Sequence, residues 1–76
     1  MKAYVLIKVR AGDVPEVLTN LRQVEGVIEA NMTLGPYDAI AVVEFQDLAK
    51  LGAITARKIQ PIPGVEQTLT CLAVDA

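Results

Sequence analysis

Thr33-Leu34-Gly35-Pro36-Tyr37-Asp38 sits near the middle of a 76-residue chain, between two strand-like runs. Pro36 fixes φ for the second position of a β-turn, and Asp38 can accept a hydrogen bond from a nearby backbone N–H. Before the turn, Val27 to Leu34 alternate: Ile28, Ala30, Met32 and Leu34 face one way, Glu29, Asn31 and Thr33 the other. That is the pattern of a half-exposed edge strand. After it, Ala39 to Phe45 are apolar on both faces, with Ala39, Ala41, Val43 and Phe45 on one and Ile40 and Val42 on the other. Such a strand belongs in the middle of a sheet.

Working outward, each of these strands has a counterpart. Lys2 to Val9 are a strand with Ala3, Val5, Ile7 and Val9 on one face and Tyr4 and Leu6 on the other, again a central pattern. Asp13 then opens a helix with Glu16 at capping-box spacing and Pro15 in the first turn. Val14, Val17, Leu18, Leu21 and Val24 form its apolar stripe, and Gly26 is expected to stop it. Asp47 can cap a second helix, Leu48 to Ile59, with Leu48, Leu51, Ile54 and Ile59 on its apolar side. Gly52 in its middle costs about 1 kcal/mol relative to Ala, which suggests close packing against the sheet. Val65 to Val74 are a fourth strand, with Glu66, Thr68 and Thr70 on one face and Val65, Leu69, Cys71 and Ala73 on the other.

The order is β-α-β-β-α-β, and the halves echo each other. Val24-Glu25-Gly26-Val27-Ile28-Glu29 matches Ile62-Pro63-Gly64-Val65-Glu66-Gln67 in place and pattern. Two right-handed β-α-β crossovers then interleave into one four-stranded antiparallel sheet, the ferredoxin-like α+β arrangement over residues 1–76. The two amphipathic strands fall at its edges.

Two helices cover only one face of that sheet, yet Tyr4, Leu6, Ile40 and Val42 make the other face apolar too. A domain this small buries only roughly 60% of its unfolded surface, and 53% of these residues are hydrophobic. No apolar run approaches the roughly 20 residues of a membrane-spanning helix, and the N-terminus lacks the features of a signal peptide. The expectation is a homodimer built on the uncovered sheet face, with no membrane partner.

Composition also narrows the chemistry. There is no histidine, which excludes Ser–His triads, His general bases and His–Cys zinc sites. No catalytic residue, metal or cofactor is expected. Seven Lys and Arg against nine Asp and Glu, unclustered, disfavour direct nucleic-acid binding. Cys71 is the single cysteine, so no intrachain disulfide forms and a cytoplasmic location fits. It reads as a small core residue.

The turn itself admits two readings. One is a well-made hairpin loop. In the other, the loop offers backbone N–H groups, the Tyr37 ring and the Asp38 carboxylate to a small zwitterion, Asp38 taking the ammonium and the N–H groups the carboxylate.

The chain resembles the ligand-binding domain of the Lrp/AsnC (feast/famine) transcription regulators, the RAM or regulation-of-amino-acid-metabolism domain. The resemblance rests on Tyr4-Val5-Leu6-Ile7-Lys8-Val9, Val24 to Ala30, Leu34-Gly35-Pro36-Tyr37-Asp38, Ile62-Pro63-Gly64-Val65 and Thr68-Leu69-Thr70. It implies dimers that assemble through their sheets and join into larger rings. It also implies amino-acid effectors bound where dimers meet. Carried onto this sequence, the implied contacts are Met32, Leu34, Gly35, Pro36, Tyr37 and Asp38, with Gln60 and Ile62 as neighbours. Met32 reads equally as core. Family regulators carry an N-terminal helix-turn-helix, whereas this chain begins at the first strand, so the resemblance is to a stand-alone form. Such a form would act by oligomerisation or by joining a full-length regulator or an enzyme.

Two other functions share the fold. A small dimeric enzyme would be monooxygenase-like, with His or polar aromatic residues in a pocket, or acylphosphatase-like, with a phosphate-cradling Arg loop after the first strand. Arg10-Ala11-Gly12 only faintly echoes that loop, and Asn31 lies on the second strand. A purely structural oligomerisation unit is the other possibility.

Overall fold

The strand Lys2–Val9 (β1) is the spine of the computed structural model, which describes residues 1–74. Along it Ala3, Val5, Ile7 and Val9 are buried, while Tyr4, Leu6 and Lys8 point to the opposite, more open face. β1 pairs antiparallel with Ala39–Glu44 (β3) on one side and Val65–Leu72 (β4) on the other. Val27–Met32 (β2) completes the order β2-β3-β1-β4. The doubly apolar strands are therefore central and the amphipathic ones are edges, in the ferredoxin-like arrangement.

The first helix, Val14–Leu21 (α1), buries Val17 and Leu21 against the sheet, with Val14, Leu18 and Val24 packed around them. Its start differs from a capping box. Asp13 has φ −99° and ψ 0°, a helical rather than extended backbone, and makes no cap hydrogen bond. Its carboxylate instead accepts from Arg10 Nε at 2.8 Å and pairs with Arg10 Nη2 at 2.7 Å. The helix also ends earlier than Gly26. From Leu21 the chain unwinds through tight turns, with Gln23 N–H donating to Asn20 O and Val24 N–H to Leu21 O, both at 3.1 Å. Gly26, at φ +101°, shapes the entry to β2 instead.

Asp47 does cap the second helix: its Oδ1 accepts from the Lys50 N–H at 2.9 Å. Leu48–Ala53 (α2) is α-helical, but Ile54–Ile59 continue it as a π-helix, closed by Gln60 N–H to Thr55 O at 2.9 Å. Leu51 and Ile59 are buried, whereas Leu48 is exposed. Gly52 faces outward, with nothing within 4 Å of where a Cβ would stand, so packing against the sheet does not account for it.

Bulges correct the strand faces. The β2–β3 register slips between Val27 and Glu29, which leaves Ile28 exposed rather than on the Ala30 face. Ala30 and Met32 lie opposite Ala41 and Ala39, on the helix side. The β1–β4 register slips between Lys8 and Val9, so Val65 lies opposite Val9 on the buried side. Leu69 and Cys71 lie opposite Leu6 and Tyr4 on the open face. Cys71 is thus exposed, not core, because no helix covers that face. The open face collects Tyr4, Leu6, Ile40, Val42, Leu69 and Cys71 from three adjacent strands.

Candidate functional site

The turn after β2 is built from hydrogen bonds that close its interior. Thr33 N–H donates to Asp38 O at 3.0 Å, and Thr33 Oγ1 donates to Tyr37 O at 2.8 Å. Two further bonds fasten it to β1: Asp38 N–H to Ile7 O at 2.9 Å, and Val9 N–H to Asp38 Oδ2 at 2.8 Å. Lys8 reaches over with Nζ to donate to Pro36 O at 3.0 Å. Asp38 therefore spends one carboxylate oxygen on a part-buried backbone donor, which makes it a brace as well as a candidate contact.

Other polar groups of the turn are left without partners. Among the described residues, the N–H groups of Leu34, Gly35 and Tyr37 donate to no acceptor, and Asp38 Oδ1 accepts from no donor. Three donors and one carboxylate oxygen on one short turn match the two ends of a zwitterion. Beside them stand two apolar side chains with little cover, Leu34 at 98% exposure and Met32 at 61%. Met32 is on the helix side of its strand but too near the edge to enter the core.

Gln60 and Ile62 follow the π-helix and lie at the same end of the sheet, where Arg10 N–H donates to Gly64 O at 2.8 Å. The end of β1 stands between this loop and the turn, since β3 and β4 flank β1 on opposite sides. Gln60 Nε2 donates to Thr68 Oγ1 at 3.1 Å, and Gln60 and Thr68 line a cavity of about 240 Å³ with Val65, Glu66 and Gln67. Ile62 is only 9% exposed, and its side chain belongs to the core. Sequence reasoning missed Lys8 and Val9 as supports of the turn. In sequence Lys8 is a charged residue next to the end of an apolar strand, and a backbone N–H carries no signal in its side chain.

The loop proposed for phosphate in the acylphosphatase-like reading is occupied otherwise. Arg10 is tied to Asp13. No helix of the described residues is long and apolar enough to cross a membrane.

Comparison with known proteins places the chain in a family. Residues 2–76 match the family model for the Lrp/AsnC ligand binding domain. The HTH-type transcriptional regulator FL11 of Pyrococcus abyssi is 36% identical over 74 residues, covering 97% of this chain and 48% of the regulator. The chain spans about half the length of the curated FL11 regulators it matches. A crystal structure of a Thermus thermophilus protein superposes with a TM-score of 0.93 at 33% identity, covering 99% of this chain and 94% of that one. A Neisseria meningitidis transcriptional regulator, solved as a complex with L-Met, shares the fold with a TM-score of 0.86 at 17% identity, over 97% of this chain and 49% of that one. This chain belongs to the Lrp/AsnC ligand binding domain family.

Proposed function

We propose that this chain is a non-enzymatic, cytoplasmic amino-acid-sensing module whose turn forms half of an effector site. A second subunit supplies the rest. The observation that carries the reading is the division of labour within the turn: Thr33, Tyr37 O and Asp38 Oδ2 are tied into bonds, while among the described residues three N–H groups and Asp38 Oδ1 have no partner. The α-ammonium of an amino acid would meet Asp38 Oδ1 and its carboxylate the free N–H groups. Met32, Leu34, Pro36, Tyr37 and Gln60 would contact the side chain or the adjoining subunit. The L-Met complex of the Neisseria regulator supports the ligand class.

The open sheet face supports the assembly. Tyr4, Leu6, Ile40, Val42 and Leu69 form a continuous apolar surface, and apolar area removed from water contributes about 25 cal/mol per Å². A homodimer stacked through this face, joined into larger assemblies at the turns, would place each turn against another subunit. The module would then act through its oligomeric state or by joining a full-length regulator of its family.

Thermal denaturation against the twenty amino acids, with mass measured in solution, tests the reading. A one-site effector at 100 times its Kd adds about 2.7 kcal/mol of stability. Asp38→Asn should weaken that response while the dimer persists. If no amino acid raises the melting temperature, the sensing role fails.

A further inference from the structure

A cleft of about 420 Å³ opens at the end of the sheet opposite the Asp38 turn, between the second helix and the loop at Glu25 and Gly26. Backbone bonding fixes its shape, because Glu44 N–H donates to Gly26 O at 2.8 Å and holds that loop against the end of β3. Phe45 and Ile54 give it an apolar lining. Gly26 keeps that lining open: a Cβ there would meet Ile54 Cδ1 at 2.9 Å and Glu44 O at 3.3 Å.

The walls carry opposite charges. Lys50, Ile54 and Lys58 recur at four-residue intervals along one side of the helix, so two ammonium groups flank an apolar residue. Glu25 and Glu44 contribute carboxylates from the loop and from β3. These charges do not neutralise one another. Among the described residues the ion pair within 4.0 Å is Arg10–Asp13, and Lys50 Nζ donates to the Gln46 side chain at 2.7 Å. The helical wall from Ile54 onward is also π-wound, a geometry often found at functional sites.

We propose that this cleft is a second small-molecule site, distinct from the turn, that takes a small zwitterion with an apolar body. Its carboxylate lies toward Lys58 and Lys50, its ammonium toward Glu25 and Glu44, and its apolar part over Ile54 and Phe45. The volume lies within the roughly 300–1,000 Å³ of small-molecule pockets. A ligand bearing only one charge would leave one wall unanswered, which is the basis of selectivity here.

The test is an NMR titration of the full chain, following backbone amides, with L-leucine as the probe. Isoamylamine and 4-methylpentanoate, each lacking one of its charges, are the comparisons. Leucine should move the amides of Gly26, Ile54 and Lys58. Each analogue, and leucine against Lys58→Gln or Glu25→Gln, should bind there about tenfold more weakly. Both variants alter surface side chains, and unchanged spectra elsewhere will show that they fold. Shifts confined to residues 34–38 would overturn the cleft while leaving the effector turn standing. Shifts at the cleft but not the turn would establish the cleft as a separate site and leave the turn to the screen of all twenty amino acids. Analogues that bind the cleft as well as leucine does would overturn the zwitterion assignment.

Discussion

Asp38 Oδ2 accepts a hydrogen bond from the Val9 backbone N–H at 2.8 Å, joining the mid-chain turn to the last residue of β1. The bond spans 29 positions of sequence and crosses between the halves of the fold. One side chain thus anchors the turn and leaves its other oxygen without a donor among the described residues. Asp38→Ala strands a part-buried donor and is expected to cost about 1–3 kcal/mol in denaturant unfolding. Asp38→Asn keeps an oxygen acceptor and should cost less. A variant that loses effector response with little loss of stability is therefore the informative one.

Two glycine substitutions should move stability in opposite directions. At Gly52, helical and surrounded by open space, Ala restricts the unfolded chain and adds nothing to clash with. Gly52→Ala is expected to stabilise by about 0.5–1 kcal/mol, read as a higher urea midpoint.

Gly64 is the contrary case. Its φ is +99°, and a Cβ would stand 2.9 Å from Asp13 Cβ and 3.1 Å from Val17 Cγ2. Gly64→Ala combines a strained backbone with a contact that the end of α1 must absorb, and should destabilise by about 1–3 kcal/mol. An unchanged midpoint would show that α1 shifts freely.

Arg22 guards the outer edge of β2. Its Nε and Nη2 donate to Ala30 O at 3.1 and 2.9 Å, covering an edge-strand carbonyl. Arg22→Ala should lower stability by about 1–2 kcal/mol and speed amide exchange in β2, which hydrogen-exchange measurements resolve.

The open sheet face gives the clearest test of assembly. Leu6 and Leu69 are cross-strand neighbours there, and neither is among the buried core residues. Leu6→Glu or Leu69→Glu would place a charge in the stacked interface, where burying it costs far more than leaving it in water. Sedimentation should then report the 8.2 kDa monomer at concentrations where the parent chain is larger. Equal masses for parent and variants would rule out stacking through this face.

Much of the fold was legible because it rests on periodicity. Double-sided apolar runs at Ala3–Val9 and Ala39–Val43 announced central strands, and the repeated Gly-Val entries to β2 and β4 announced the two half-units. Those signals are averages over many side chains and survive local irregularity. The departures come from single-residue events that an average hides. One extra residue at each bulge turned Ile28 and Val65 to unexpected faces, and hydrogen bonds that span one residue more than in an α-helix made Ile54–Ile59 a π-helix.

The site divides along the same line. Pro36 and Asp38 marked the turn in sequence, since a fixed φ and a short acceptor side chain are local chemistry. That Asp38 would be half consumed by Val9, that Lys8 would bridge to Pro36, and that Ile62 would vanish into the core depended on which strands became neighbours. Sequence by itself determined the order of elements, the central strands and the place of the turn, because each follows from side-chain pattern. Only the tertiary structure decided which polar groups of the turn are already bonded and which are not. A hydrogen bond needs its partner within about 3 Å, and folding alone brings positions 9 and 38 that close.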